Sequence, residues 1–93
     1  MLLAKVVGNV WATRKDDQLR GLKLLVVQPV KASGKPMGGE MVAADRIGAG
    51  VGETVLITQG SSARKAVEGE VAIDAVVVGI IDTVEVMKRR DED

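Results

Sequence analysis

The chain has 93 residues, 13 basic and 13 acidic side chains, no cysteine, no histidine and a single aromatic residue, Trp11. This length makes one small domain with a limited core, and the composition denies it a disulfide, a thiolate-bound metal or the commonest general base. Zero net charge and one aromatic also count against the basic footprint and stacking platforms of a nucleic-acid binder.

The strand period is visible from the first residues. Over 3–13, Ala4, Val6, Gly8, Val10 and Ala12 share one face by alternation, with Lys5 and Asn9 opposite. The charged run 14–18 connects to a second predicted strand over 22–30, apolar on both faces through Leu24, Leu25, Val26 and Val27. Pro29 has no ladder donor, which places it near a strand end or an edge. Ser33-Gly34-Lys35-Pro36 and Gly38-Gly39 make 31–39 a turn or flexible loop.

A short third strand over 40–44 leads into Gly48-Ala49-Gly50-Val51-Gly52, three glycines in five residues. A fourth strand over 53–59 is rich in β-branched residues. Gly60-Ser61-Ser62-Ala63-Arg64 then reads as a helix start, a serine cap ahead of good helix formers, with room for about two turns before Gly69. A long final strand over 74–87 carries Val76, Val78, Ile80 and Val84 on one face, with Gly79 as a bend or close contact. The remaining residues, 88–93, form a charged and mobile tail.

No segment is long enough for a parallel crossover helix, so antiparallel pairing is favoured. The predicted fold is mainly β: a small five-stranded antiparallel barrel of oligonucleotide-binding type, with one short helix before the last strand. Residues 1–87 form its single domain. No secretory signal is visible, and the longest apolar run, 75–81, is far short of the roughly 20 residues that span a bilayer. The reading is a soluble, cytoplasmic chain. A small domain without covalent staples gains stability by oligomerising.

Few residues offer chemistry. The glycine loop lacks the Gly-Lys-Ser/Thr that opens a helix in a phosphate-binding loop and leads instead into Glu53 and a strand. It reads as a tight turn, or as a lining for a crowded symmetry axis where only small residues fit. Ser61 and Ser62 have no histidine to activate them, and capping explains them better. Asp74 and Asp82 flank the apolar run 75–81, with Arg64 as a pairing cation, and structural pairing outweighs catalysis. Trp11 suits a core or subunit contact better than base stacking, which uses several aromatics.

Taken in order, several segments carry a resemblance. They are Leu3-Ala4-Lys5-Val6-Val7-Gly8, Lys23-Leu24-Leu25-Val26-Val27, Val42-Ala43-Ala44-Asp45 with Gly48-Ala49-Gly50, and Gly52-Glu53-Thr54-Val55-Leu56. Gly60-Ser61-Ser62-Ala63-Arg64 and the run 73–82 complete them. Their order and spacing over most of the chain resemble the vertex proteins of bacterial microcompartments, the EutN/CcmL family of ethanolamine-utilisation and carboxysome shells.

The resemblance implies a non-enzymatic pentamer that caps the vertices of a polyhedral shell in the cytoplasm and meets hexameric shell proteins at its rim. No metal, organic cofactor, nucleic acid or membrane is implied. The family's narrow axial opening would lie near Gly48, Ala49 and Gly50, and Ser61, Ser62 and Arg64 would sit at the helix start and subunit contacts. Ethanolamine, propanediol, glycyl-radical and carboxysome shells all stay open. The alternative is a barrel that holds single-stranded nucleic acid on the same fold. A hydrolase built on Asp74, Asp82 or Ser61 lacks a base and a motif.

Overall fold

Alternating β-branched residues between turn-forming glycines produce short strands, and here they close on themselves. The computed structural model describes residues 1–11, 21–60 and 74–87. Among these, five strands occur in chain order: β1 (Leu2–Val10), β2 (Lys23–Val30), β3 (Met41–Asp45), β4 (Thr54–Gln59) and β5 (Ala75–Ile81). They form a closed barrel in the order β1-β2-β3-β5-β4. The expected short helix lies within 61–73, and the charged tail is 88–93; both fall outside the described residues.

Four seams of the barrel are antiparallel. The fifth departs from the all-antiparallel expectation: β3 and β5 run parallel and meet at Ala44 and Val76. Sequence pattern does not report the relative direction of strands so far apart in the chain. The final strand is also shorter than predicted. It ends at Ile81, and residues 82–87 continue without joining a ladder.

Two bulges change the predicted faces. Val6 pairs with Val27 but Gly8 pairs with Val26, which leaves Val7 as the extra residue of β1. Directly opposed residues share a face, so Ala4 and Val6 point inward while Gly8 and Val10 join Val26 and Leu24 outside. The run Ala4 to Val10 therefore does not keep one face. In β5, Leu56 pairs with Gly79 and Ile57 with Val77, so Val78 is extra. Ala75 and Val77 are buried while Val78 is exposed. Such bulges raise the local twist and help a short sheet to close.

Pro29 sits where its missing donor does no harm. It pairs with Ala4 of β1, beyond the last residue of β2 that β3 reaches, Val27. Its carbonyl accepts from Met37 N–H at 2.9 Å and from Gln28 Nε2 at 2.9 Å. The following loop is a hydrogen-bonded excursion: Gly34 N–H donates to Lys31 O at 2.8 Å and Lys31 N–H to Lys35 O at 2.8 Å.

The barrel interior is filled without an aromatic ring. Ala4, Val6, Leu25, Val27, Ala43, Ala49, Val55, Ile57, Ala75 and Val77 form the cluster, with Leu2 and Met41 packed against it. Alternating small and branched side chains fill the narrow lumen of a small barrel. Ile57 is among the largest fully buried side chains. Ile57→Ala is expected to destabilise the fold by about 2–5 kcal/mol and Ile57→Val by about 0.5–1.5 kcal/mol. Urea unfolding at one fixed subunit concentration checks both.

Candidate functional site

The loop between β3 and β4 closes one end of the barrel, and its shape is set by the residue that ends β3. Asp45 is 2% exposed. Its carboxylate accepts two backbone donors of the following turn: Ile47 N–H on Oδ1 at 2.9 Å and Ala49 N–H on Oδ2 at 2.7 Å. Aspartate is suited to this because its short side chain bonds to backbone a few residues on. Ionised carboxylate acceptors also make stronger hydrogen bonds than neutral ones.

Ala49 is pinned from its other polar group as well. Lys23 stands opposite Asp45 across the β2–β3 ladder, and its Nζ donates to Ala49 O at 2.9 Å. The Ala49 methyl is fully buried in the barrel core. The side chain fills the end of the barrel while the backbone is held by one anion and one cation. Gly48, just before it, has φ +85° and open space where a Cβ would be. Backbone conformation, not crowding, asks for glycine there.

The second half of the loop is a separate turn. Glu53 N–H donates to Gly50 O at 3.1 Å, and Gly50 N–H donates to Glu53 Oε1 at 2.6 Å. Gly52, with φ +93°, occupies the third position of this turn, where a positive φ favours glycine. The turn is then fastened to β1: Gly52 N–H donates to Val6 O at 2.8 Å and Val6 N–H to Glu53 O at 2.9 Å. Arg46, Ile47, Gly48, Val51 and Gly52 face solvent, and Gly50 is half-buried. The loop is thus a fixed surface of backbone and small side chains.

The remaining candidates are not gathered into a chemical site. Ser61, Ser62 and Arg64 lie outside the described residues. Asp74 and Asp82 are both exposed, and the buried carboxylate among the described residues is Asp45. Trp11 is 90% exposed, which rules out the core assignment. Among the described residues, no group of three His, Cys, Asp or Glu is placed to hold a metal ion. No helix among them is long and apolar enough to cross a membrane. Sequence reasoning treated Asp45 only as part of a motif and missed Lys23 and Glu53 as loop anchors. An aspartate ending a β-rich run just before glycines is the one signal that pointed to a side-chain-capped turn.

The family model described as Ethanolamine utilisation protein EutN/carboxysome matches residues 1–82. The chain belongs to the EutN/CcmL family. It is 51% identical over 87 residues to the carboxysome shell vertex protein CcmL of Synechocystis sp., covering 92% of this chain and 87% of that protein. It is also 51% identical over 88 residues to the bacterial microcompartment shell vertex protein PduN of Salmonella typhimurium, covering 89% of this chain and 97% of that protein. Among solved structures, the GrpN pentameric microcompartment shell protein of Rhodospirillum rubrum superposes with a TM-score of 0.84 at 46% identity, covering 95% of this chain and all of that one. The single-stranded nucleic-acid alternative draws no support from these relatives.

Within this family member, the loop anchors can be tested directly. Removing the Asp45 carboxylate leaves the N–H of buried Ala49 without its acceptor, so Asp45→Ala is expected to cost about 1–3 kcal/mol. Asp45→Asn keeps one acceptor oxygen and should cost less. Urea unfolding measures the loss, and the Ala49 amide should exchange with solvent faster in Asp45→Ala than in the parent.

Proposed function

We propose that this chain is a structural shell protein whose homopentamers cap the vertices of a polyhedral microcompartment. The observation that carries this reading is the match of nearly the whole chain to shell vertex proteins, together with a close structural likeness to a pentameric shell protein. The geometry of closed shells supports it. A layer of six-fold tiles is flat, and it closes only where five-fold units remove a sector and force curvature. A five-fold ring joins two unlike patches of each subunit head to tail. The partners in this reading are hexameric shell proteins that meet the rim of the pentamer by shape and polar complementarity.

Nothing in the reading requires catalysis. A vertex cap needs a rigid outline and a filled centre. The loop between β3 and β4 has the properties of such a centre: it is short, rich in glycine and held by its own hydrogen bonds. We assign Gly48, Gly50 and the backbone of Ala49 to the neighbourhood of the five-fold axis. The Ala49 methyl belongs to the subunit core and not to the opening. Ser61, Ser62 and Arg64 are assigned to subunit contacts on the family resemblance.

Native mass spectrometry of the purified chain should give a dominant five-subunit species, and a stable monomer would overturn the vertex reading. Co-expression with hexameric shell proteins should give closed particles, and omission of this chain should leave open sheets or tubes by electron microscopy. The axial assignment predicts that Ile47→Cys, on the exposed part of the loop, is joined efficiently between neighbouring subunits by a short bis-maleimide reagent. A pentamer that stays unlinked would move the loop away from the axis. Arg64→Glu should weaken the assembly; an unchanged pentamer would remove Arg64 from the contact.

A further inference from the structure

Among the described residues, two apolar features of the subunit stand apart from its core. The first is the outer face of β1, β2 and β3. Gly8, Val26 and Val42 stand side by side across the three strands, and Val10 and Leu24 follow in the next row. Val42 is 48% exposed and the bulged Val7 beside Gly8 is 42% exposed. Gly8 puts no side chain between these valines. A contiguous apolar face on the outside of a small barrel marks a contact surface rather than a solvated one.

The second feature is the segment that follows β5. Residues 82–87 pair with no strand among the described residues, and all six are exposed. Their sequence, Asp-Thr-Val-Glu-Val-Met, places Val84 and Val86 two residues apart around Glu85. That is the alternation of a half-buried strand, rich in the β-branched residues that favour one. Val84 is 41% exposed, Val86 57% and Met87 92%, so the segment grows more exposed as it runs on from the barrel. Its course explains this. Ile81 stands opposite Thr54, the first residue of β4, and Thr54 stands opposite Lys5 of β1. Beyond residue 81 the chain has run past the start of β4 and leaves the barrel at that end.

We propose that residues 82–87 of one subunit cover the outer face of β1, β2 and β3 on the next subunit, with Val84 and Val86 seated against Val7, Val26 and Val42. This rests on the pentameric reading, because a head-to-tail ring requires two unlike surfaces per subunit and repeats one contact at every junction. An apolar arm and an apolar face on the same chain, unpaired with one another among the described residues, supply such a pair. Extended segments that add to a neighbour's sheet are a recurrent mode of association.

The absence of native cysteine makes the contact readable by disulfide mapping. V42C/V86C, oxidised as the assembled protein, should form disulfides between subunits and run on a non-reducing denaturing gel as a ladder ending at the closed ring. V42C/E85C should cross-link several-fold more slowly, because residue 85 faces away from the surface in an alternating strand. Mixed single variants, V42C with V86C, should give linked pairs only. A chain ending at Thr83 should lose the five-subunit species in native mass spectrometry. A pentameric parent with no V42C/V86C ladder and an intact pentamer after truncation would overturn the arm contact and leave the vertex reading standing. A parent that is not pentameric would remove both. Disulfides confined within single subunits would assign the arm to its own barrel and overturn the proposal.

Discussion

The carboxylate of Asp45 is the interaction around which this subunit is organised. It ends β3, turns the chain by accepting the N–H groups of Ile47 and Ala49, and so drops the Ala49 methyl into the core. That methyl is fully buried among the core residues of the barrel. A buried carboxylate is tolerable only when its lone pairs are used, and here the backbone of its own loop uses them. Lys23 completes the arrangement by taking the Ala49 carbonyl. The same contacts that finish the core therefore make the adjoining surface rigid.

That rigidity matters more for a shell component than for an enzyme. A vertex transmits shape: the angle between neighbouring subunits must repeat at every junction, and a loosely held subunit surface would blur it. The second turn of the loop, closed between Gly50 and Glu53 and tied to Val6, extends the constraint to β1. An apolar outer face and a segment that pairs with no strand among the described residues are features expected of a chain whose working unit is a ring. The composition fits this economy, since an interior of alanine, valine, isoleucine and leucine needs no aromatic payload when the lumen is narrow.

Much of the fold was legible because strands announce themselves locally. The apolar and β-branched runs that became β2 and β4 identify those strands closely, while the last strand ends at Ile81, well short of the predicted residue 87. The glycine loop was correctly read as tight backbone geometry. Other features were not legible. The bulges at Val7 and Val78 reverse which side chains face inward; each lies beside a strand glycine, Gly8 or Gly79, which marks an irregularity, but the valines and alanines around them suit either face and do not say which way the alternation slips. Trp11 looks like a core residue by type, yet it stands almost fully in solvent. Asp74 and Asp82 drew attention by flanking an apolar run, while the carboxylate that is buried sits where a strand meets a turn.

What the sequence alone determined is the class of the protein: a small, mainly β chain without histidine or cysteine, whose ordered motifs place it among the shell vertex proteins. Local propensity and motif order suffice for that, because strand period, turn residues and spacing are properties of neighbouring residues. Only the tertiary structure decided that β3 and β5 meet in parallel, that Asp45 and Lys23 converge on Ala49, and which valines of β1, β2 and β3 remain outside. Each depends on contacts between residues far apart in the chain, and barrel closure brings those residues together in a register that no local pattern encodes.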